Sequence, residues 1–310
     1  MNELNPINQT RLFGLNKYLS ELINLYNKEI LPNKILLSGQ KGSGKSTLAY
    51  HFINYVLSIE EQFGYDTKNC LIKSENRTFK TILNKSNPNL ITIDVNAEKK
   101  NIDINQIREL ILNLNKSSFN TKPRFVLIDN IEFLNKNSIN ALLKVLEEPG
   151  FNIHFILINN NKKILSTLLS RCIIYKISLS NNECLNISNK LLDANLDKKI
   201  NSDLLNYYLT PGNMYKIFKF AENNNYDLLN VDLKDFLKLI IQDNHYKKDN
   251  KIKFLIYDLI EFYFRKINST FKIEIYNKYS YFIRKIYETQ IYNLDEELLF
   301  TEFYDDVLNG

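Results

Sequence analysis

The stretch KILLSGQKGSGKS, residues 34–46, decides how the first part of this chain folds. A short apolar run, KILLS (34–38), leads into GQKGSGKS (39–46), which matches GxxxxGK[ST] at every fixed position. A strand that runs into a glycine-rich loop and then a helix, here beginning near Lys45, is the setting this pattern needs. Glycines let backbone N–H groups turn inward around a β-phosphate, and the helix N-terminus adds partial positive charge. Three of the 8 glycines in the chain fall within residues 39–44, so the clustering is not a matter of composition. On this reading Gly39, Gly42, Ser43, Gly44, Lys45, Ser46 and Thr47 cradle a nucleotide. Lys45 reaches the β- and γ-phosphates, and the Ser46 hydroxyl ligates the Mg2+ that accompanies ATP.

Outward from the loop, apolar runs alternate with helical spacing through residue 177. LITIDV (90–95), FVLID (125–129), IHFILI (153–158) and CIIYKI (172–177) join KILLS as candidate strands. Near-continuous apolar runs suit a parallel sheet covered on both faces. Ile104, Ile107, Ile111 and Leu114, and again Ile139, Leu142, Leu143 and Leu146, repeat at helical intervals, with Pro149-Gly150 ending the second helix. The fold class is therefore α/β, with a parallel five-stranded sheet. FVLID ends in Asp129, placed as a P-loop protein places the carboxylate that holds magnesium. The next residue is Asn130, which cannot accept a proton, where many such proteins carry a general-base Glu. Glu132 is expected on a different side of the backbone.

Beyond about residue 178 the strand signal stops. Short helices broken at TPGN (210–213) give way, from about 231, to a helical pattern rich in Tyr and Phe, read as core packing or a helix–helix interface. The expected blocks are 1–177, 178–230 and 231–310. NNN at 159–161 and 223–225 reads as loop. At 310 residues and 24% charged, the chain has room for two or three ordinary domains. A net charge of +5 is too mild for a dedicated nucleic-acid stripe, and LDEELLFTEFYDD near the end is acidic. Three cysteines without a CxxC or Cys/His cluster indicate neither disulfides nor zinc. The polar start and the lack of a long apolar run lead to the expectation of a cytoplasmic protein with no membrane span.

RLFG (11–14), LPNKILLSGQKGSGKSTLAYHF (31–52), NSINALLKVLEEPG (137–150) and LLSRC (168–172) together resemble the AAA+ clamp-loader subunits of bacterial DNA polymerase III, most of all the delta-prime type. TPGNMYK (210–216) and NLDEELL (293–299) extend the likeness toward the C-terminus. The resemblance implies a RecA-like P-loop domain, a small helical lid and an all-α collar. It implies a hetero-pentamer with delta and tau/gamma subunits that places a sliding clamp on primed DNA, so that the chain is part of a polymerase holoenzyme. From its residues alone, Arg171 is either a surface side chain capping a short helix or an arginine that stabilises transferring phosphate. The resemblance implies the second, acting in trans on a neighbour's ATP.

The chain also departs from the motor subunits of that machine. Asn130 replaces the base, Gly212 or Asn213 stands where a lid arginine belongs, and only Cys70 lies where a four-cysteine zinc module would be. The expectation is a stator that binds ATP but hydrolyses it slowly or not at all. A tau/gamma-type motor and a stand-alone P-loop enzyme such as a nucleotide kinase are the alternatives. Lys144 is a candidate DNA contact.

Overall fold

The computed structural model describes residues 4–95, 101–116, 120–205, 210–248, 250–267, 273–292 and 294–309. Asn293, the first residue of the NLDEELL stretch, lies outside them. The chain forms two compact units. The first comprises Met1–Lys190 with Thr210–Gly212, and the second comprises Leu191–Leu209 with Asn213–Gly310.

In the first unit, β1 (Lys34–Ser38), β2 (Leu90–Ile93), β3 (Arg124–Ile128), β4 (Ile153–Asn159) and β5 (Ile173–Lys176) form one sheet in the order β2-β3-β4-β1-β5. Every pairing is parallel. β4 at the centre is buried at all seven positions, and β1 and β3 beside it bury their apolar residues. Continuous apolar runs are what such double-sided burial demands. β5 differs from that expectation. It is an edge strand, and Ile173 and Ile174 are 53% and 43% exposed.

Helices cover the faces. Asn16–Asn27 buries Leu19 and Leu22, and Lys45–Leu57 buries residues around most of its circumference, Phe52 meeting Phe125 of β3 edge-on. Ile104–Leu114 starts with a capping box in which the Asp103 carboxylate accepts from the Gln106 N–H and the Gln106 side chain accepts from the Asp103 N–H. The helix Lys136–Glu147 is capped by Asn135 and stops before Pro149-Gly150. Its buried Leu142 and Leu146 pack with Ile107, Leu110 and Phe155.

The second unit is built of helices joined by loops, with no strand among its described residues. Phe264, Phe282 and Phe303 meet pairwise with centroids 5.3–5.9 Å apart, and each is essentially buried. Part of the aromatic stripe is therefore core, as expected. The helix Ile273–Tyr292 nevertheless leaves Tyr276, Tyr281, Tyr287 and Tyr292 exposed.

Candidate functional site

The sheet register determines which residues meet. Ser38 pairs with Asn159, Ile128 with Leu157, and Ile93 with Ile128. The chain therefore leaves β1, β2, β3 and β4 side by side, carrying Gly39, Asp94, Asp129 and Asn160 to one edge. The carboxyl ends of parallel strands are where open α/β sheets bind ligands.

Leaving β1, the loop turns through Gly42 (φ +84°) and Gly44 (φ +86°), left-handed positions that suit glycine. Gly44 caps the helix Lys45–Leu57. Lys45 is only 3% exposed, and its ammonium donates to the carbonyls of Gly39 (2.9 Å) and Gln40 (2.7 Å). Burial pulls its pKa down to about 8, against the upward pull of Asp129 and then Glu132. The Ser46 hydroxyl donates to Asp129 Oδ2 at 2.5 Å, across 83 residues of sequence. Burial raises the Asp129 carboxyl to about 6; the Ser46 hydrogen bond opposes this and the Asp94 charge adds to it. Thr47 follows on the same helix, half-buried, and the buried Ser43 hydroxyl has no hydrogen-bond partner among the described residues.

These residues fit ATP with magnesium. Ser46 and Asp129 are hard oxygen donors already in contact, the donor type Mg2+ takes. Among the described residues the Lys45 ammonium donates only to backbone carbonyls, and phosphate oxygens are stronger, charge-assisted acceptors. Lys45 and the loop N–H groups would hold the phosphates, Ser46 and Asp129 the metal, and the metal would neutralise phosphate charge.

The next turn is built differently. Asn130 adopts a left-handed conformation (φ +55°), one that Asn tolerates better than most residues, and precedes a single 3-10 turn, Ile131–Phe133. Its Nδ2 donates to Asp94 Oδ1 at 2.7 Å, and its Oδ1 accepts from Asn160 Nδ2 at 2.7 Å. The same Asn160 Nδ2 donates to Glu132 Oε1 at 2.8 Å. Glu132 was expected on a different side of the backbone; the tight turn carries its carboxylate to the amide that holds Asn130. Asn160 was read as loop in the NNN tract, yet Asn159 ends β4 and Asn160 bridges two loops. Only its place directly after a strand end parallel to FVLID hinted at this. Asp94, the last polar residue of LITIDV, was missed as well. So was Tyr50, one turn beyond Ser46, whose hydroxyl is pushed up to about 12 by burial and then by Asp129 and Asp94.

Thr210–Gly212 belong to the same unit. The Thr210 hydroxyl donates to Lys41 O at 2.8 Å, and the Gly212 N–H donates to Gly42 O at 2.9 Å. A Cβ at Gly212 would lie 2.9 Å from Gly42 Cα, so position 212 cannot carry an arginine without moving the loop.

Arg171 stands apart from these groups, between the short helix Ser166–Leu169 and β5. Its guanidinium donates to Thr167 O at 2.8 Å and to Glu147 Oε1 at 2.5 Å. The adjacent Cys172 thiol is raised by burial to about 11, which disfavours the thiolate. Lys144 is exposed.

Parallel strands in this order, a glycine-rich loop after β1 and an acid at the end of β3 define an AAA+ P-loop fold. The family described as "DNA polymerase III, delta subunit" matches residues 14–181, more than half of the chain, and the chain belongs to that family. The delta-prime subunit of Buchnera aphidicola subsp. Schizaphis graminum is 26% identical over 289 residues, covering 85% of this chain and 82% of that protein. The gamma/tau subunit of Mycoplasma genitalium is 28% identical over 252 residues, covering 80% of this chain but only 37% of that longer protein. Among solved structures, a DNA polymerase III gamma subunit-related protein from Thermotoga maritima superposes with a TM-score of 0.50 at 17% identity, covering 91% of this chain and 96% of that one. That likeness supports the fold. The resemblance to delta-prime-type clamp-loader subunits drawn from the sequence is borne out. Among the described residues, no helix is long and apolar enough to cross a membrane.

Proposed function

We propose that this chain is the delta-prime-type subunit of a DNA polymerase III clamp loader, holding Mg2+–ATP in its own loop while lending Arg171 to a neighbour's nucleotide. It works within a hetero-pentamer of delta and tau/gamma subunits, in the cytoplasm, and meets the sliding clamp and primed DNA through that assembly. Residues 1–177 act as the nucleotide domain, 178–230 as a lid and 231–310 as a collar. Hydrolysis by the chain itself is slow at best.

The observation that carries the reading is the contact between Ser46 and Asp129 beside a buried, carbonyl-bound Lys45. A loop surviving only as a turn would have no need to keep a buried ammonium close to a buried carboxylate, because each costs desolvation. The low expectation for hydrolysis rests on Asn130, which carries no carboxylate and has both ends of its amide occupied. The role in trans rests on Arg171. It keeps a partly exposed guanidinium whose contacts with Thr167 and Glu147 use two of its five N–H donors.

The test is a reconstituted loader with Arg171→Ala in this chain alone. A large loss of ATP turnover in the neighbouring subunit, with assembly intact, is expected. Unchanged turnover would remove the role in trans.

A further inference from the structure

The geometry points to Glu132 as the general base of a slow ATPase in this chain, with Asn160 as its positioning residue. This rests on the proposal that the loop holds Mg2+–ATP. Position 130 cannot supply a base, since an amide takes no proton. A carboxylate three residues beyond Asp129, Glu132, is nevertheless tied to the Asn130 side chain through a shared donor. Asn160 Nδ2 donates to Asn130 Oδ1 at 2.7 Å and to Glu132 Oε1 at 2.8 Å, so the two acceptors share one nitrogen. The backbone N–H of Asn160 also approaches Glu132 Oε2, at 3.4 Å. Both carboxylate oxygens are thus oriented from Asn160, the residue that directly follows the fully buried strand β4.

Glu132 lies on the turn that Asn130 opens, directly after Asp129, whose carboxylate contacts Ser46 of the loop. Asp129 is engaged by Ser46 and by the Asn130 N–H, whereas Glu132 receives its hydrogen bonds from Asn160 alone among the described residues. A carboxylate accepts about four hydrogen bonds, which leaves Glu132 capacity for a water.

In the proposed step, water attacks the γ-phosphorus. The new O–P bond forms as the bond to the β–γ bridging oxygen breaks. The electron pair of the broken bond goes to ADP, the water proton goes to Glu132, and the products are ADP and inorganic phosphate. Lys45 stabilises the charge that develops on the phosphates. The base is displaced from its usual position and hydrogen-bonded to an amide, so turnover is slow.

The experiment measures ATP turnover and equilibrium ATP binding on the purified full chain, with Lys45→Ala as the baseline. Wild type is expected to turn over slowly above that baseline. Glu132→Gln should lower kcat by about 10²-fold or more, the scale of a general-base contribution. It should bind ATP as tightly as wild type or more tightly, because a negative charge near the γ-phosphate is gone. Asn160→Ala should lower kcat with little change in KM. Adding Asn130→Glu to Glu132→Gln should restore turnover. If Glu132→Gln melts early, Glu132→Asp carries the test, with reduced turnover at an unchanged melting temperature.

Turnover unchanged in Glu132→Gln would overturn the assignment. So would wild-type turnover at the Lys45→Ala baseline while ATP still binds, a result that leaves the proposed stator role standing. Absence of ATP binding would defeat both the assignment and the nucleotide-holding role.

Discussion

The phosphate side of the site and the water side, one residue apart at Asp129 and Asn130, are built to different standards. On the phosphate side every side chain is of the type and spacing that the chemistry requires, and two buried charges are retained despite their cost: Lys45 held down to about 8 and Asp129 held up to about 6. On the water side an amide replaces the acid, and a network of Asp94, Asn130, Asn160 and Glu132 fills the space. Under the proposed function grip and turnover are separable, with the residues assigned to grip complete and those assigned to turnover rearranged.

The comparison can be broken at several points, the largest effect coming first. Arg171→Ala in an assembled loader should lower the neighbour's hydrolysis by on the order of 10³–10⁵, the contribution of an arginine finger, while ATP binding by this chain stays unchanged. Steady-state turnover and binding, measured on the same preparation, separate the two.

Lys45→Ala should weaken ATP binding by about 10²-fold or more, the loss of two charge-assisted contacts. Since Lys45 is desolvated in the ligand-free protein, the same variant should keep or raise the melting temperature without nucleotide. A fall in that melting temperature would mean that Lys45 is structural.

The far face of the same helix supplies a pH control. His51 is fully buried; its Nε2–H donates to Gln9 O at 3.1 Å, which leaves Nδ1 to accept from the Tyr65 hydroxyl at 2.8 Å. Burial lowers its pKa to about 4. The unfolded chain takes up the proton near pH 6.5 and the folded chain only near 4. Stability from this group is therefore complete above 6.5 and lost as pH falls through 4, by roughly 3 kcal/mol in total. Urea midpoints at pH 7 and pH 4.5 should differ more in wild type than in His51→Gln.

Asp129→Asn should remove the magnesium dependence of ATP binding while stabilising the ligand-free protein by about 1–2 kcal/mol, since a buried carboxylate is replaced by a neutral group that still accepts from Ser46. Loss of stability would indicate that Asp129 serves the fold more than the metal.

Much of this architecture was legible in advance because its signals are local. KILLS, FVLID and IHFILI are continuous apolar runs, and continuity is what burial between two helical layers imposes. The loop pattern has four fixed positions, and the register of a parallel sheet carries a β3 acid to it. CIIYKI reads the same way, yet it ends as an exposed edge, because strand order depends on which neighbours arrive and not on the strand's own residues. The Asn160 bridge was illegible for a related reason. Its meaning comes from Asn130 and Glu132, some thirty residues earlier, and nothing within NNN distinguishes a strand-end amide from a loop. The link from Glu132 to Asn160 was equally hard to read, because a left-handed Asn130 and a 3-10 turn reset the chain direction after Asp129. The close approach of Gly212 to Gly42, which leaves no room for a side chain at 212, was likewise invisible.

The most direct measurement is equilibrium binding of ATP to the purified chain, with and without Mg2+, in wild type and in Lys45→Ala. Magnesium-dependent binding that Lys45→Ala abolishes is the predicted result. Binding that is absent, or identical in the two proteins, would contradict the claim that the phosphate side of this site is intact.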